Sequence, residues 1–309
     1  MTGFFDTSFL ARLEQLALLS RRSFGGQQRA ERRSRRRGSS LEFADYRDYT
    51  PGDDLRRLDW NLYGRLDRFY VKLFEEEEEL PIHILVDDSA SMRWRPTDER
   101  GRTLDSRPSK FDLARRLAAA LAYIGLAHLD HVHLHWLSTD ANIGRALDLG
   151  RGKAQFHRAL EFLARTDEFN GASSVDLNRA LRRFGGSVRR RGLVVLISDL
   201  LDPDGEFFEG VEFLLYHGFD VQLIQVLDPA ELRPALLGDL RLAEAEGRGR
   251  LDVTADESML REYGRAIEAF LEQIERFARQ RRIAYLRGLT DVSFEDFTLR
   301  ALRQAGLVK

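Results

Sequence analysis

From residue 81 onward, short aliphatic runs alternate with longer stretches in which apolar side chains recur at helical spacing. Ile82 to Val86, Val132 to Leu137, Leu193 to Ile197 and Val221 to Val226 are continuous apolar runs of strand length, and shorter runs at Ile143 to Leu147 and Ala284 to Leu286 predict two more strands. Between them, Lys110 to His128 repeats Leu113, Leu117, Leu121 and Ile124 on one stripe. Helical patterns also cover Gln155 to Ala164, Leu177 to Phe184, Phe207 to Tyr216, Glu257 to Arg281 and Phe294 to Gln304. Residues 240–253 predict a β-hairpin around Glu246-Gly247-Arg248-Gly249. Strands that are apolar along their whole length, alternating with helices, imply an α/β fold: a doubly wound, mostly parallel sheet covered on both faces. Such sheets place their sites at the carboxyl ends of the strands. The loops after Val86 and Ile197 and before Leu177 are therefore where chemistry is expected.

The first eighty residues lack this rhythm. Residues 7–20 predict a short amphipathic helix through Phe9, Leu10, Leu13, Leu16 and Leu18. An arginine-rich stretch from Arg21 to Arg37 follows, with little that could pack. Residues 41–74 mix aromatics with the turn Pro51-Gly52-Asp53 and a strand pattern from Arg68 to Phe74, before the run Glu75 to Glu79. The expected organisation is a helix plus basic segment at 1–38, a small β-containing region at 39–80, and an α/β domain at 81–309 with a hairpin insertion near 239–254.

Composition narrows the chemistry. Hydrophobic residues form 43% of the 309 positions and charged residues 32%, enough for a large core under a solvated surface. There is no cysteine, which excludes disulfides, thiolate zinc sites and a cysteine nucleophile. A net charge of −2 gives no general attraction to nucleic acid. No apolar run reaches transmembrane length, and a cytoplasmic location is expected.

The loop after the first buried strand reads Asp87-Asp88-Ser89-Ala90-Ser91, a D-x-S-x-S pattern. Asp199 follows the strand ending at Ile197 and Ser198, and Ser173-Ser174 precede a helix. Read singly, these residues are ordinary caps and turns. Read together, Asp87, Ser89, Ser91, Ser174 and Asp199 form a hard oxygen donor set suited to Mg²⁺ (or Mn²⁺), which needs only one or two carboxylates. Neutral hydroxyls leave such an ion with surplus positive charge and room for a carboxylate from another molecule. Ser173 and Ser174 both fit the second-loop position.

The pattern resembles the metal-ion-dependent adhesion site of von Willebrand factor A domains, with a D-x-S-x-S loop, a Thr or Ser on a second loop and an Asp on a third. Residues 38–92 carry a wider and more specific resemblance. Glu42-Phe43, Arg47, Tyr49, Pro51-Gly52-Asp53-Asp54, Arg56-Arg57, Asp59-Trp60 and Val71 to Glu77, in order before the D-x-S-x-S loop, are similar to the domain-of-unknown-function 58 family. That family sets this segment directly before a von Willebrand A-like domain, and its genes commonly neighbour those of MoxR-type AAA+ ATPases. The resemblance implies a chaperone, adaptor or assembly role with such an ATPase, and the expected function is metal-dependent protein binding and not catalysis.

Other features are weighed beside this. A metal-assisted phosphohydrolase using Asp87 is the alternative; a haloacid-dehalogenase-type loop needs a second Asp where Ser89 stands, and no phosphate loop appears. His131, His133 and His135 share one strand face and could bind zinc or copper, but with no carboxylate to complete a site they are expected to pack under a helix. The Arg21–Arg37 stretch holds only Phe24 for base stacking, so nucleic-acid binding is not expected. Arg47, Asp53, Asp54, Arg57 and Asp59 are expected to support the Pro-Gly turn, with Trp60 packed beside them.

Overall fold

The computed structural model describes residues 9, 11–15, 42–51, 53–75, 81–95, 108–137, 145–165, 175–202, 205–234, 237–243, 249–292, 294, 297, 298 and 300. The chain divides into two compact units, residues 24–79 and residues 1–23 with 80–309.

The smaller unit is built on an antiparallel pair, β1 (Glu42–Asp48) and β2 (Tyr70–Glu75), joined through helix α1 (Trp60–Leu66). Arg47 and Asp53 hold the turn at Pro51 as expected, whereas Asp54 and Asp59 cap helical turns instead, and the Arg57 side chain lies outside the described residues. Arg47 binds Asp53 at 2.7 Å, and Asp53 also accepts from the Thr50 amide at 2.9 Å. Asp54 accepts from the Arg56 amide, and buried Asp59 caps α1 while accepting from the Tyr46 hydroxyl at 2.9 Å. Tyr63 and Phe69 stack at 4.4 Å. Trp60 departs from expectation: it sits at the first position of α1 and is 63% exposed.

The larger unit carries a six-stranded sheet, β10-β7-β6-β3-β4-β5. Its strands are β3 (Ile82–Asp87), β4 (Val132–Leu137), β5 (Ala146–Gly150), β6 (Leu193–Ser198), β7 (Asp220–Leu227) and β10 (Ala284–Leu289). All neighbours are parallel except β4 and β5. The edge strand β5 lies later than the pattern predicts, and residues 143–144 of the predicted strand lie outside the described residues. The chain moves outward from β3 through β4 to β5 on one side, and from β6 through β7 to β10 on the other. The order therefore reverses between β3 and β6, the point at which open α/β sheets form a crevice beyond their strand ends.

Among the described residues this unit also has helices α2 (Ala90–Arg93), α3 (Lys110–Ala127), α4 (Phe156–Ala164), α5 (Leu177–Ser187), α6 (Phe207–Tyr216), α7 (Pro229–Leu232) and α8 (Glu257–Gln280), with an antiparallel pair, β8 (Gly238–Ala243) and β9 (Arg250–Ala255). A reciprocal Ser109–Asp112 capping box starts α3, and nearly every residue of the helix is buried, as its run of alanines permits. On another part of the core, Leu85, Leu196 and Leu223 of the sheet pack with Val211, Leu214 and Phe277 of the helices. Helical residue 9 also joins this unit, the Phe9 ring lying 5.2 Å from that of Phe294. Among the described residues no helix is long and apolar enough to cross a membrane.

Gly192 marks where β6 enters beside β3. A Cβ there would sit 2.1 Å from the Pro81 carbonyl oxygen, which accepts the Leu193 amide at 3.0 Å. Backbone cannot yield as a side-chain end can. Gly192→Ala is expected to lower stability by about 3 kcal/mol, read from the urea midpoint at unchanged slope. A shift of a few tenths would show that the entry of β6 is loosely held.

Candidate metal centre

Asp87 is the last residue of β3, and Ser198 is the last residue of β6, so the parallel register sets them side by side. Asp87 Oδ1 accepts from the Ser89 amide at 2.9 Å, and Oδ2 accepts from the Ser198 hydroxyl at 2.5 Å. The Ser89 and Ser91 hydroxyls lie 2.9 Å apart. Ser89 occupies the cap position of α2 but its side chain makes no capping bond, so its hydroxyl is not used by the helix. Asp87, Ser89 and Asp199 are all buried. Leu200, next after Asp199, is held at φ +53°, a left-handed conformation that costs a leucine energy, with its amide donating to Ser198 Oγ at 3.0 Å.

Burial pushes the Asp87 carboxyl up to about 7, and the charge of Asp199 adds to the rise against the hydrogen bonds from Ser198 and Ser89. The two carboxylates thus sense each other, although 112 positions separate them in the chain. Ser173 and Ser174 lie outside the described residues, so four of the five expected ligands are placed. Neighbouring Asp88 is buried and ion-paired with Arg93, whose guanidinium lies 4.0 Å over the Phe111 ring. It belongs to a separate pair and not to the Asp87–Ser198 contact.

Residues 45–271 match the family described as "Protein of unknown function DUF58". The chain belongs to the DUF58 family. It is 26% identical over 274 residues to Uncharacterized protein Rv1480 of Mycobacterium tuberculosis and to Uncharacterized protein Mb1516 of Mycobacterium bovis, covering 89% of this chain and 82% of each relative. Among solved structures it is similar to the conserved hypothetical protein BatB of Bacteroides thetaiotaomicron, with 16% identity, a TM-score of 0.42, and coverage of 74% of this chain and 99% of that one. An aerotolerance-related membrane protein of Bacteroides fragilis gives 16% identity, a TM-score of 0.43, and coverage of 73% and 97%.

Sequence reasoning missed Lys110 in this DUF58 chain. It is fully buried, and its ammonium donates to Asp199 Oδ2 at 2.7 Å and to Glu231 of α7. Burial alone would lower the Lys110 pKa; the Asp199 and Glu231 carboxylates more than reverse this and raise it. Glu231 is itself pushed up by burial against the pull of Lys110, and its other oxygen accepts from the Asp228 amide at 2.9 Å. A faint signal existed, since a cation at the first position of a helix opposes the macrodipole. With every group ionised, Asp199 and Glu231 share the one Lys110 ammonium while Asp87 feels the charge of Asp199, so negative charge exceeds positive at this end of the sheet, and a divalent cation would offset it.

The histidine stripe meets its expectation in part. Phe184 of α5 packs against the His135 ring at 5.0 Å and the His83 ring at 5.3 Å. The expectation that no carboxylate completes the group is wrong. Antiparallel pairing of β5 brings Asp148 Oδ1 to 2.8 Å from His131 Nε2. The Arg21–Arg37 stretch and Glu76–Glu79 lie outside the described residues.

Proposed function

We propose that this DUF58 chain is a metal-dependent protein-interaction module. It holds Mg²⁺ (or Mn²⁺) through Asp87, Ser89, Ser91, Asp199 and Ser174, and it grips a protein partner that donates a carboxylate to the ion. The observation that carries this is the burial together of Asp87 and Asp199 at the switch point, with the Asp87 carboxyl pushed up to about 7. Buried like charges are costly, and a divalent cation offsets them with added oxygen donors from Ser89 and Ser91. Lys110 then keeps Asp199 from contributing its full charge, so the ion retains its pull on an acidic guest. Family membership supports a MoxR-type AAA+ ATPase as that partner.

The test is calorimetric titration of the purified full chain with Mg²⁺, followed by binding to the purified ATPase in Mg²⁺ and in EDTA. One equivalent of Mg²⁺ and at least tenfold tighter partner binding in its presence are expected, both lost in Asp87→Ala. No heat of Mg²⁺ binding to wild type would end the proposal. Metal-dependent turnover of a phosphate ester, lost in Asp87→Asn, would favour the hydrolase alternative.

A further inference from the structure

Four histidines and one aspartate line one side of the sheet near the amino-terminal ends of its strands. Strand register explains the grouping: His83 of β3 pairs with His133 of β4, and His133 pairs with Asp148 of β5. His131 stands two residues before His133 and therefore on the same face. The register shifts between Val132, opposite Gly150, and His133, opposite Asp148, leaving Leu149 as an extra residue on the edge strand. Bulges of this kind re-aim edge side chains. The His131 and His133 rings stack at 4.7 Å with 9° between their planes, and the His133 and His83 rings at 4.8 Å with 16°. The rings are thus held in place by one another and, at His83 and His135, by Phe184.

We propose that His131, His133 and Asp148 form a second metal site, for a late divalent transition-metal ion such as Zn²⁺, with a water or an external ligand completing the coordination. Asp148 Oδ1 lies 2.8 Å from His131 Nε2 and 3.7 Å from His133 Nδ1. One ligand atom from each of the three residues falls within 4.8 Å of the others. Donors about 2 Å from a tetrahedral ion stand about 3.3 Å from each other, so the measured spacings bracket that value and small side-chain rotations would close the site. Two imidazoles and one carboxylate are a borderline-soft set that suits Zn²⁺, Cu²⁺ or Ni²⁺ and not Mg²⁺. The side chains of His131 and His133 are 24% and 22% exposed and that of Asp148 60%, so an ion can enter and one coordination position faces solvent.

This site is independent of the Asp87 centre. His83 and Asp87 are four residues apart on β3, about 13 Å along the strand. Because β5 is the sheet edge and pairs only with β4, an ion bridging Asp148 to the two histidines would clip that edge in place.

The experiment is equilibrium dialysis of the tag-free full chain against Zn²⁺ with Mg²⁺ in excess. One equivalent is expected in wild type and equally in Asp87→Ala, with affinity at least tenfold weaker in His133→Ala and in Asp148→Asn. Asp148 is exposed, so Asp148→Asn should fold normally by circular dichroism even if His133→Ala does not. The Cu²⁺-loaded chain should show electron-spin coupling to two ring nitrogens, reduced to one in His131→Ala. A wild-type chain that takes up no Zn²⁺, or uptake unchanged in both Asp148→Asn and His133→Ala, would reduce the group to a hydrogen-bonded edge pair and overturn the proposal.

Discussion

Lys110→Met is expected to lower the stability of the chain by about 3–5 kcal/mol, a large part of what a domain has in total. The side chain is fully buried, and its ammonium is the hydrogen-bonding cation between Asp199 and Glu231. Methionine fills much of the same volume, so the loss isolates charge from packing. It leaves buried Asp199 and partly buried Glu231 without their shared cation, and breaking a buried pair by removing one member costs far more than the pair contributes. Adding Glu231→Gln to Lys110→Met should recover part of the loss, because one of the stranded charges is then gone; the double-mutant coupling measures how much. Urea denaturation at neutral pH in EDTA is the measurement. A loss below about 1 kcal/mol would show that water reaches the ammonium, and the charge balance drawn for the metal centre would fail with it.

Asp87→Asn is expected to act in the opposite direction while the metal is absent. The amide matches the carboxylate in shape, still accepts from the Ser89 amide through its oxygen, and can donate to Ser198 Oγ. It removes a buried carboxyl whose pKa stands at about 7 in the fold against 3.8 in the open chain. A shift of roughly three units corresponds to at most about 4 kcal/mol. The sign follows from where each state ionises. Below pH ~4 both states hold the proton, and Asp and Asn differ little. Between ~4 and ~7 the unfolded chain ionises while the folded one does not, so the wild type loses stability as pH rises. Above ~7 the penalty is complete and constant. In chelator at pH 8, Asp87→Asn should therefore unfold at higher urea than wild type, with the advantage vanishing towards pH 4. Mg²⁺ should reverse the ranking: at a hundredfold excess over its Kd it adds about 2.7 kcal/mol to wild type and nothing to the variant. If wild type and variant unfold at the same urea concentration at pH 8 in EDTA, Asp87 is not under the electrostatic load the geometry implies.

Most of the architecture was legible in the sequence because its signals are local. Aliphatic runs such as Leu193 to Ile197 predict strands buried on both faces, and the Phe207–Tyr216 helix is read to its ends from spacing alone. The D-x-S-x-S loop and Asp199 were legible for the same reason: each follows a recognisable buried strand, and a parallel sheet with helices between its strands brings such ends together. Trp60 was misjudged because size alone does not say which side of a short helix meets the core.

Alone, the sequence determined the α/β class, the sheet strands other than the bounds of β5 and the far end of β10, and the placement of Asp87 and Asp199 where two parallel strands end. Only the tertiary structure decided the partners that depend on register and on distant elements. Lys110 reaches Asp199 across 89 positions and Glu231 across 121, and no periodicity encodes a contact between one helix start, a loop and a second short helix. Asp148 joins His131 and His133 only because β5 runs antiparallel with one extra residue at Leu149. Local interactions set elements within a few residues of each other, whereas the charge balance of a buried site is settled by which elements the fold brings to the same place.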